Sequence, residues 1–194
     1  MLREKACHLN PMHPNCFFIP SVYPQFVQQA HNKNARNINA CVSGSNRHHS
    51  MLAEALATLQ PQGLNISILG RQKGTEQFYS QRNVSHYVHL VHEKDFYLFQ
   101  KHIARCDLLM PLVDPERNSG FFAGANSVKK LTGSVSQAIG YKIPTVMHED
   151  LHHIYHDQLT APVEAYNDTL SFTAALDRML MAVRSTAFPG DSVR

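Results

Sequence analysis

Two lysines, Lys129 and Lys130, stand just ahead of Thr132, Gly133 and Ser134, and no other stretch of the 194 residues gathers so much anion-binding chemistry. Ammonium and hydroxyl groups at a helix start hold anions because the unpaired backbone amides and the positive end of the helix dipole add to their field. The surrounding stretch, Ser127 to Val146, leaves a loop of small residues, becomes an apolar-faced helix and ends in a buried strand. That order predicts a phosphate-binding corner at one end of an α/β sheet.

Other chemistries find little support. The sequence has no Gly-x-Gly-x-x-Gly after its first strand, no Gly-x-x-x-x-Gly-Lys-Ser/Thr and no Gly-x-Ser-x-Gly. A dinucleotide oxidoreductase, a P-loop nucleotidase and a nucleophile-elbow hydrolase therefore lack their anchoring motifs. Thirteen histidines include the pairs His48-His49 and His152-His153. His152 and His156 have helical i, i+4 spacing, but no carboxylate or third ligand recurs at matching distance, so solvated or hydrogen-bonding histidines and no metal site are expected.

The net charge of +3, from 18 basic and 15 acidic residues, is spread without the dense runs of a nucleic-acid groove. Cys7, Cys16, Cys41 and Cys106 lie far apart with no Cys-x-x-Cys, which argues against a zinc ribbon or a dense disulfide framework and suits a reducing compartment. No apolar run approaches a membrane span and the amino terminus lacks a signal-peptide core, so a cytoplasmic location without a transmembrane segment is expected.

The elements that must position the corner follow from periodicity. Residues 1–36, with Pro11, Pro14, Pro20 and Pro24, read as a linker-like arm whose Phe17-Phe18-Ile19 patch docks on the domain. From Asn37 short apolar runs alternate with amphipathic stretches up to about residue 186, and 187–194 form a loose tail. Strands are expected at 38–42, 64–69, 86–91, 107–113 and 143–147, with an edge strand at 163–166. Helices are expected with inward faces Leu52, Ala55, Leu56 and Leu59; Phe96, Phe99 and Ile103; Leu131, Val135, Ala138 and Ile139; and Phe172, Leu176, Met179, Leu180 and Val183. A short helix fits 150–156, and Asp95 and Asp168 are placed to cap. The alternation predicts a Rossmann-like α/β domain: a parallel sheet of about six strands with helices on both faces.

Ligands of such sheets bind beyond the carboxyl ends of the strands. The residues that follow strands are Ser43-Gly44-Ser45-Asn46-Arg47, Gly70-Arg71-Gln72-Lys73, Val91-His92-Glu93, Asp114-Pro115-Glu116 and His148-Glu149. Two of these loops set basic residues beside glycine, and Lys129 and Lys130 join them. Such a rim suits a diphosphate.

Over roughly Asn37 to Arg184 the sequence resembles the carboxyl-terminal, donor-binding half of a GT-B fold glycosyltransferase, most like the retaining, glycogen-synthase-like group 1 family. The resemblance is carried by Val42-Ser-Gly-Ser-Asn-Arg47, Ile68-Leu-Gly-Arg71, Cys106-Asp-Leu-Leu-Met-Pro111 and Ser134-Val-Ser-Gln-Ala-Ile-Gly-Tyr-Lys-Ile-Pro144, and Phe18-Ile-Pro-Ser-Val22 resembles the family's linker. When Pro144 is set on the family proline, Gln137 falls where the family's second glutamate binds ribose hydroxyls and Lys129 falls where the first glutamate lies. Lys130-Leu-Thr-Gly-Ser134 resembles a Lys-x-(Ser/Thr)-Ser/Gly-Ser variant of the pattern.

The resemblance implies transfer of a sugar from a nucleotide-diphosphate donor to an acceptor hydroxyl, with no cofactor or obligatory metal. Arg47 and Lys130 would take the catalytic, charge-stabilising role. Gly44, Ser45, Gly70, Arg71, Lys73, Thr132, Gly133, Ser134 and Gln137 would bind the nucleotide sugar, with the base near Val91 and His92. An acceptor half is missing from the sequence, which leaves three accounts: a fragment of a larger enzyme, a subunit whose partner supplies that half, or a non-catalytic nucleotide-sugar binder.

Overall fold

The computed structural model describes residues 37–43, 48–70, 74–93, 95–112 and 133–187. The strands are β1 (Ile38–Val42), β2 (Leu64–Leu69), β3 (Val88–Val91), β4 (Leu108–Met110), β5 (Thr145–His148) and β6 (Val163–Tyr166). The helices are α1 (His49–Leu59), α2 (Thr75–Ser80), α3 (Phe96–Ala104), α4 (Gly133–Tyr141), α5 (Glu149–Tyr155) and α6 (Thr169–Ala187), with short 3-10 turns at Ser85–Tyr87 and His156–Gln158. All six strands are parallel, in the order β3-β2-β1-β4-β5-β6. The order reverses between β1 and β4, the switch point at which open α/β sheets leave a crevice.

Strand alternation divides the core between two faces. Ala40, Val42, Ile66, Ile68, Leu108, Met110 and Val146 face one way and pack with Leu52 and Leu56 of α1 and with Phe172, Leu176 and Leu180 of α6. Cys41, Leu69, Val91 and Leu109 face the other way, against Ile103 of α3 and Ala138 and Tyr141 of α4. Beyond them Met147 packs with Val135, Leu151 and Tyr155. Each fully buried Leu or Ile here contributes about 1.5–3 kcal/mol relative to exposure.

Local rules set the element ends. Asp95 accepts from Leu98 N at 3.0 Å and starts α3, and Asp168 accepts from Ser171 N at 2.7 Å and starts α6. The bonds to the Ser171 amide and hydroxyl hold the Asp168 carboxyl below its ordinary range. Helix α1 closes on Gln60 in the left-handed region, whose N–H returns to Leu56 O at 3.0 Å. Arg178 forks onto Glu164 at 2.9 and 2.8 Å, and Arg184 donates to Gln62 O at 2.6 Å, so α6 is tied to both β6 and the turn after α1.

Several boundaries differ from the periodicity reading. The stretch 85–87 is a 3-10 turn, and the third strand starts only at Val88. The fourth strand stops at Met110, because Pro111 brings no donor and Leu112 N turns back to Met110 O at 3.0 Å. Helix α2 occupies 75–80, where no element was expected; Thr-Glu-Gln-Phe-Tyr-Ser spans too few turns to show a period. Two cysteines remote in sequence, Cys41 on β1 and Cys106 ahead of β4, form a disulfide with Cα atoms 5.9 Å apart. Among the described residues this is one link and not a framework, and it runs against the expectation of a reducing compartment. Among the described residues no helix is long and apolar enough to cross a membrane.

Candidate functional site: a polar corner at the sheet switch point

The carboxyl ends of β1 and β4 and the first turn of α4 meet at the switch point, and the side chains there are polar although they are buried. Ser43, directly after β1, is 5% exposed, and Ser134, Ser136 and Gln137 on α4 are 3%, 2% and 4% exposed. Ser43 donates its hydroxyl to Gln137 Oε1 at 3.0 Å across 94 residues of sequence. Gln137 lies four and three residues after Gly133 and Ser134, so all three share one face of α4. Gly133 opens the helix, and no described atom lies within 4 Å of where its Cβ would stand. A group approaching the first turn of α4 would thus meet backbone rather than side chain.

A second group forms at the ends of β2 and β3. Gly70 adopts φ 104°, a conformation that a side chain would strain, and its N–H donates to Val91 O at 3.1 Å. Val91 is buried, whereas His92 is exposed and lines a cavity of about 280 Å³ with Glu76, Tyr79, Ser85 and His89. The Tyr79 hydroxyl pairs with His49 Nδ1 at 2.8 Å, linking the wall of this cavity to the first turn of α1. Helix α1 has no side-chain cap: His48 occupies that position and uses its N–H on Leu112 O at 3.2 Å.

The residues singled out by sequence therefore fall into two sets. Gly133, Ser134 and Gln137 come together beside Ser43, and Gly70, Val91 and His92 come together at the neighbouring strand ends. Arg47 and Lys130, together with Gly44, Ser45, Arg71, Lys73, Lys129 and Thr132, lie outside the described residues. Sequence reasoning left out Ser43 as a site residue, although its place just beyond a strand marked it. It also missed the cavity residues Glu76 and Tyr79, because α2 itself gave no signal, and Ser85, which opens the 3-10 turn that was read as the approach to a strand.

His148 Nδ1 accepts from Asp150 N at 3.3 Å at the start of α5, and its ring meets Tyr166 edge-on at 5.5 Å. His152 and His156 approach with ring centroids 6.2 Å apart, but among the described residues no three His, Cys, Asp or Glu side chains are grouped to hold a metal. Burial pushes the Tyr155 hydroxyl up to about 12 and raises that of Tyr166 as well.

No family model and no curated protein matches the sequence. The fold does match a solved structure, sucrose-phosphate synthase from Thermosynechococcus elongatus, with a TM-score of 0.58 and 12% sequence identity. The match covers 79% of this chain and 39% of that one, so the chain is about half the length of this neighbour. At this identity the shared property is the fold. The class is a Rossmann-like α/β fold built on a six-stranded parallel sheet.

Proposed function

We propose that this chain is the donor-binding domain of a glycosyltransferase, which transfers a sugar from a nucleotide-diphosphate sugar to an acceptor hydroxyl. The observation that carries the reading is the buried polar corner of Ser43, Ser134 and Gln137 at the switch point of the sheet. An apolar sheet end would cost nothing to fill with Val or Leu, whereas polar groups buried there must each be satisfied. Their concentration where such sheets bind ligands favours a site over plain packing.

In this reading the diphosphate lies over the first turn of α4, where Gly133 lets it reach the backbone amides and Ser134 adds a hydroxyl. Lys130 and Arg47 supply the positive charge that meets the leaving diphosphate, with Arg71, Lys73 and Thr132 beside them. Preorganised donors of this kind contribute about 3–4 kcal/mol each to a transition state that develops anionic charge. With that charge met by side chains and amides, the reaction calls for no obligatory metal or cofactor. Gly44, Ser45 and Gly70 bind the nucleotide sugar, and the base rests against Val91 and His92.

The neighbour of the same fold is about twice as long, which supports the view that an acceptor half lies elsewhere, in a longer chain or a separate subunit. The test is calorimetric titration with uridine, guanosine and adenosine diphosphates. Binding of at least one, weakened in both Lys130→Ala and Arg47→Ala, is the expected result; no heat from any of them removes the reading. Binding without sugar transfer, even after the native partner is recovered by co-purification, would favour the second reading, a non-catalytic nucleotide-sugar binder.

A further inference from the structure

We propose that Ser43 is a positioning residue of this corner: by donating to Gln137 Oε1 it locks the end of β1 onto α4 and sets the gap that a diphosphate enters. The inference rests on the donor-domain reading above. Its basis is a single long-range bond of 3.0 Å between two side chains 5% and 4% exposed. Val42 before Ser43 and Ala138 after Gln137 are apolar and buried, at 0% and 1% exposed.

Stability alone does not require a polar pair there. Replacing both partners of a buried hydrogen bond by apolar groups of similar shape is close to neutral, whereas removing one partner is costly. What an apolar pair would not supply is direction. A hydrogen bond fixes a distance and an angle, while apolar surfaces slide past each other with little change in energy. The two segments held by this bond are those that lead into the corner. Gly44 follows Ser43 directly, and Gly133 and Ser134 lie one helical turn before Gln137 on the same face. A slip of α4 along the sheet would carry its first turn away from the end of β1. Such misplacement weakens any contact that needs both at once.

The test compares wild type, Ser43→Ala, Ser43→Thr and the double variant Ser43→Ala with Gln137→Met, each measured by calorimetry with uridine diphosphate and by urea unfolding. Ser43→Ala is expected to weaken binding roughly five- to tenfold, the loss of one hydrogen bond's constraint. Ser43→Thr keeps the hydroxyl and is expected to restore affinity to within about twofold of wild type. The double variant is the decisive arm, because it should recover the urea midpoint but not the affinity. Recovery of both would show that the bond only satisfies itself, and overturns the proposal. Undiminished binding by a folded Ser43→Ala overturns it too. If Ser43→Ala fails to fold, the double variant still decides. A wild type that binds uridine diphosphate while its double variant does also would leave the donor reading standing and remove this inference alone; a wild type that binds no nucleoside diphosphate removes both.

Discussion

Tyr166 carries a hydroxyl that has no hydrogen-bond partner among the described residues, although the residue is only 3% exposed. Its ring is well used: it meets Phe172 edge-on at 4.9 Å and His148 at 5.5 Å, which joins β6 to α6 and to the end of β5. The oxygen is therefore the costly part of a favourable side chain. We expect Tyr166→Phe to raise stability by about 1 kcal/mol, read as a higher urea midpoint at unchanged slope. A loss of similar size would show that the hydroxyl is satisfied after all. Tyr155, 2% exposed, makes a second residue-scale prediction. Burial disfavours its phenolate and lifts its pKa from 10.0 to about 12. The folded state then holds a proton that the unfolded state releases, so this contribution is intact below pH 10 and is lost as pH rises through about 12. Tyr155→Phe should flatten the fall in stability across that window when unfolding is followed at stepped alkaline pH. An unchanged slope would place the Tyr155 ring in contact with water.

The longer elements were largely legible in the sequence. Helix α6 shows its face at 3.6-residue spacing, and Phe172, Leu176, Met179, Leu180 and Val183 are all buried as that spacing requires. Strand β1 was legible from its apolar run, and Asp95 and Asp168 from their cap positions. The short helix at 149–155 and the edge strand at 163–166 were legible too, but α2 was not, because a helix of six residues completes fewer than two turns and its burial of Tyr79 comes from contacts distant in sequence. The same limit hid the Ser43–Gln137 bond and the Cys41–Cys106 link, which join residues 94 and 65 positions apart. The disulfide ties β1 to the turn between α3 and β4, and both sulfurs lie near the His102 carbonyl, at 3.8 Å from Cys41 and 3.1 Å from Cys106. A carbonyl so placed can accept from the thiols once the bond is reduced, which softens the loss of the link. Closing a loop of 65 residues restricts the unfolded chain, and reduction should lower stability by about 2–4 kcal/mol. Urea unfolding with and without dithiothreitol, beside a thiol count on the denatured protein, measures it. Equal midpoints, with both thiols found free beforehand, would show that the pair is not joined.

At the scale of the whole molecule, the two faces of the sheet are unequal in what they could report about a ligand. The α1/α6 face is a continuous apolar layer from Ile38 to Val183, whereas α4 leans on the sheet through a smaller cluster and carries Ser134, Ser136 and Gln137 within it. Polar groups in that interface exchange hydrogen bonds with water on unfolding at little net gain, so α4 is held less firmly than α6. A ligand seated on the first turn of α4 would therefore add most where the domain is weakest. Mass action sets the size: at one hundred times its dissociation constant a ligand stabilises the folded state by about 2.7 kcal/mol. For a chain of this length that corresponds to a rise in Tm of roughly 5–10 °C. We expect a nucleoside diphosphate to produce such a rise and to slow hydrogen exchange in α4 before it changes exchange in α6. If the rise came with protection confined to α6 or α1, the ligand would sit away from the corner, and the assignment of the diphosphate to α4 would have to be withdrawn.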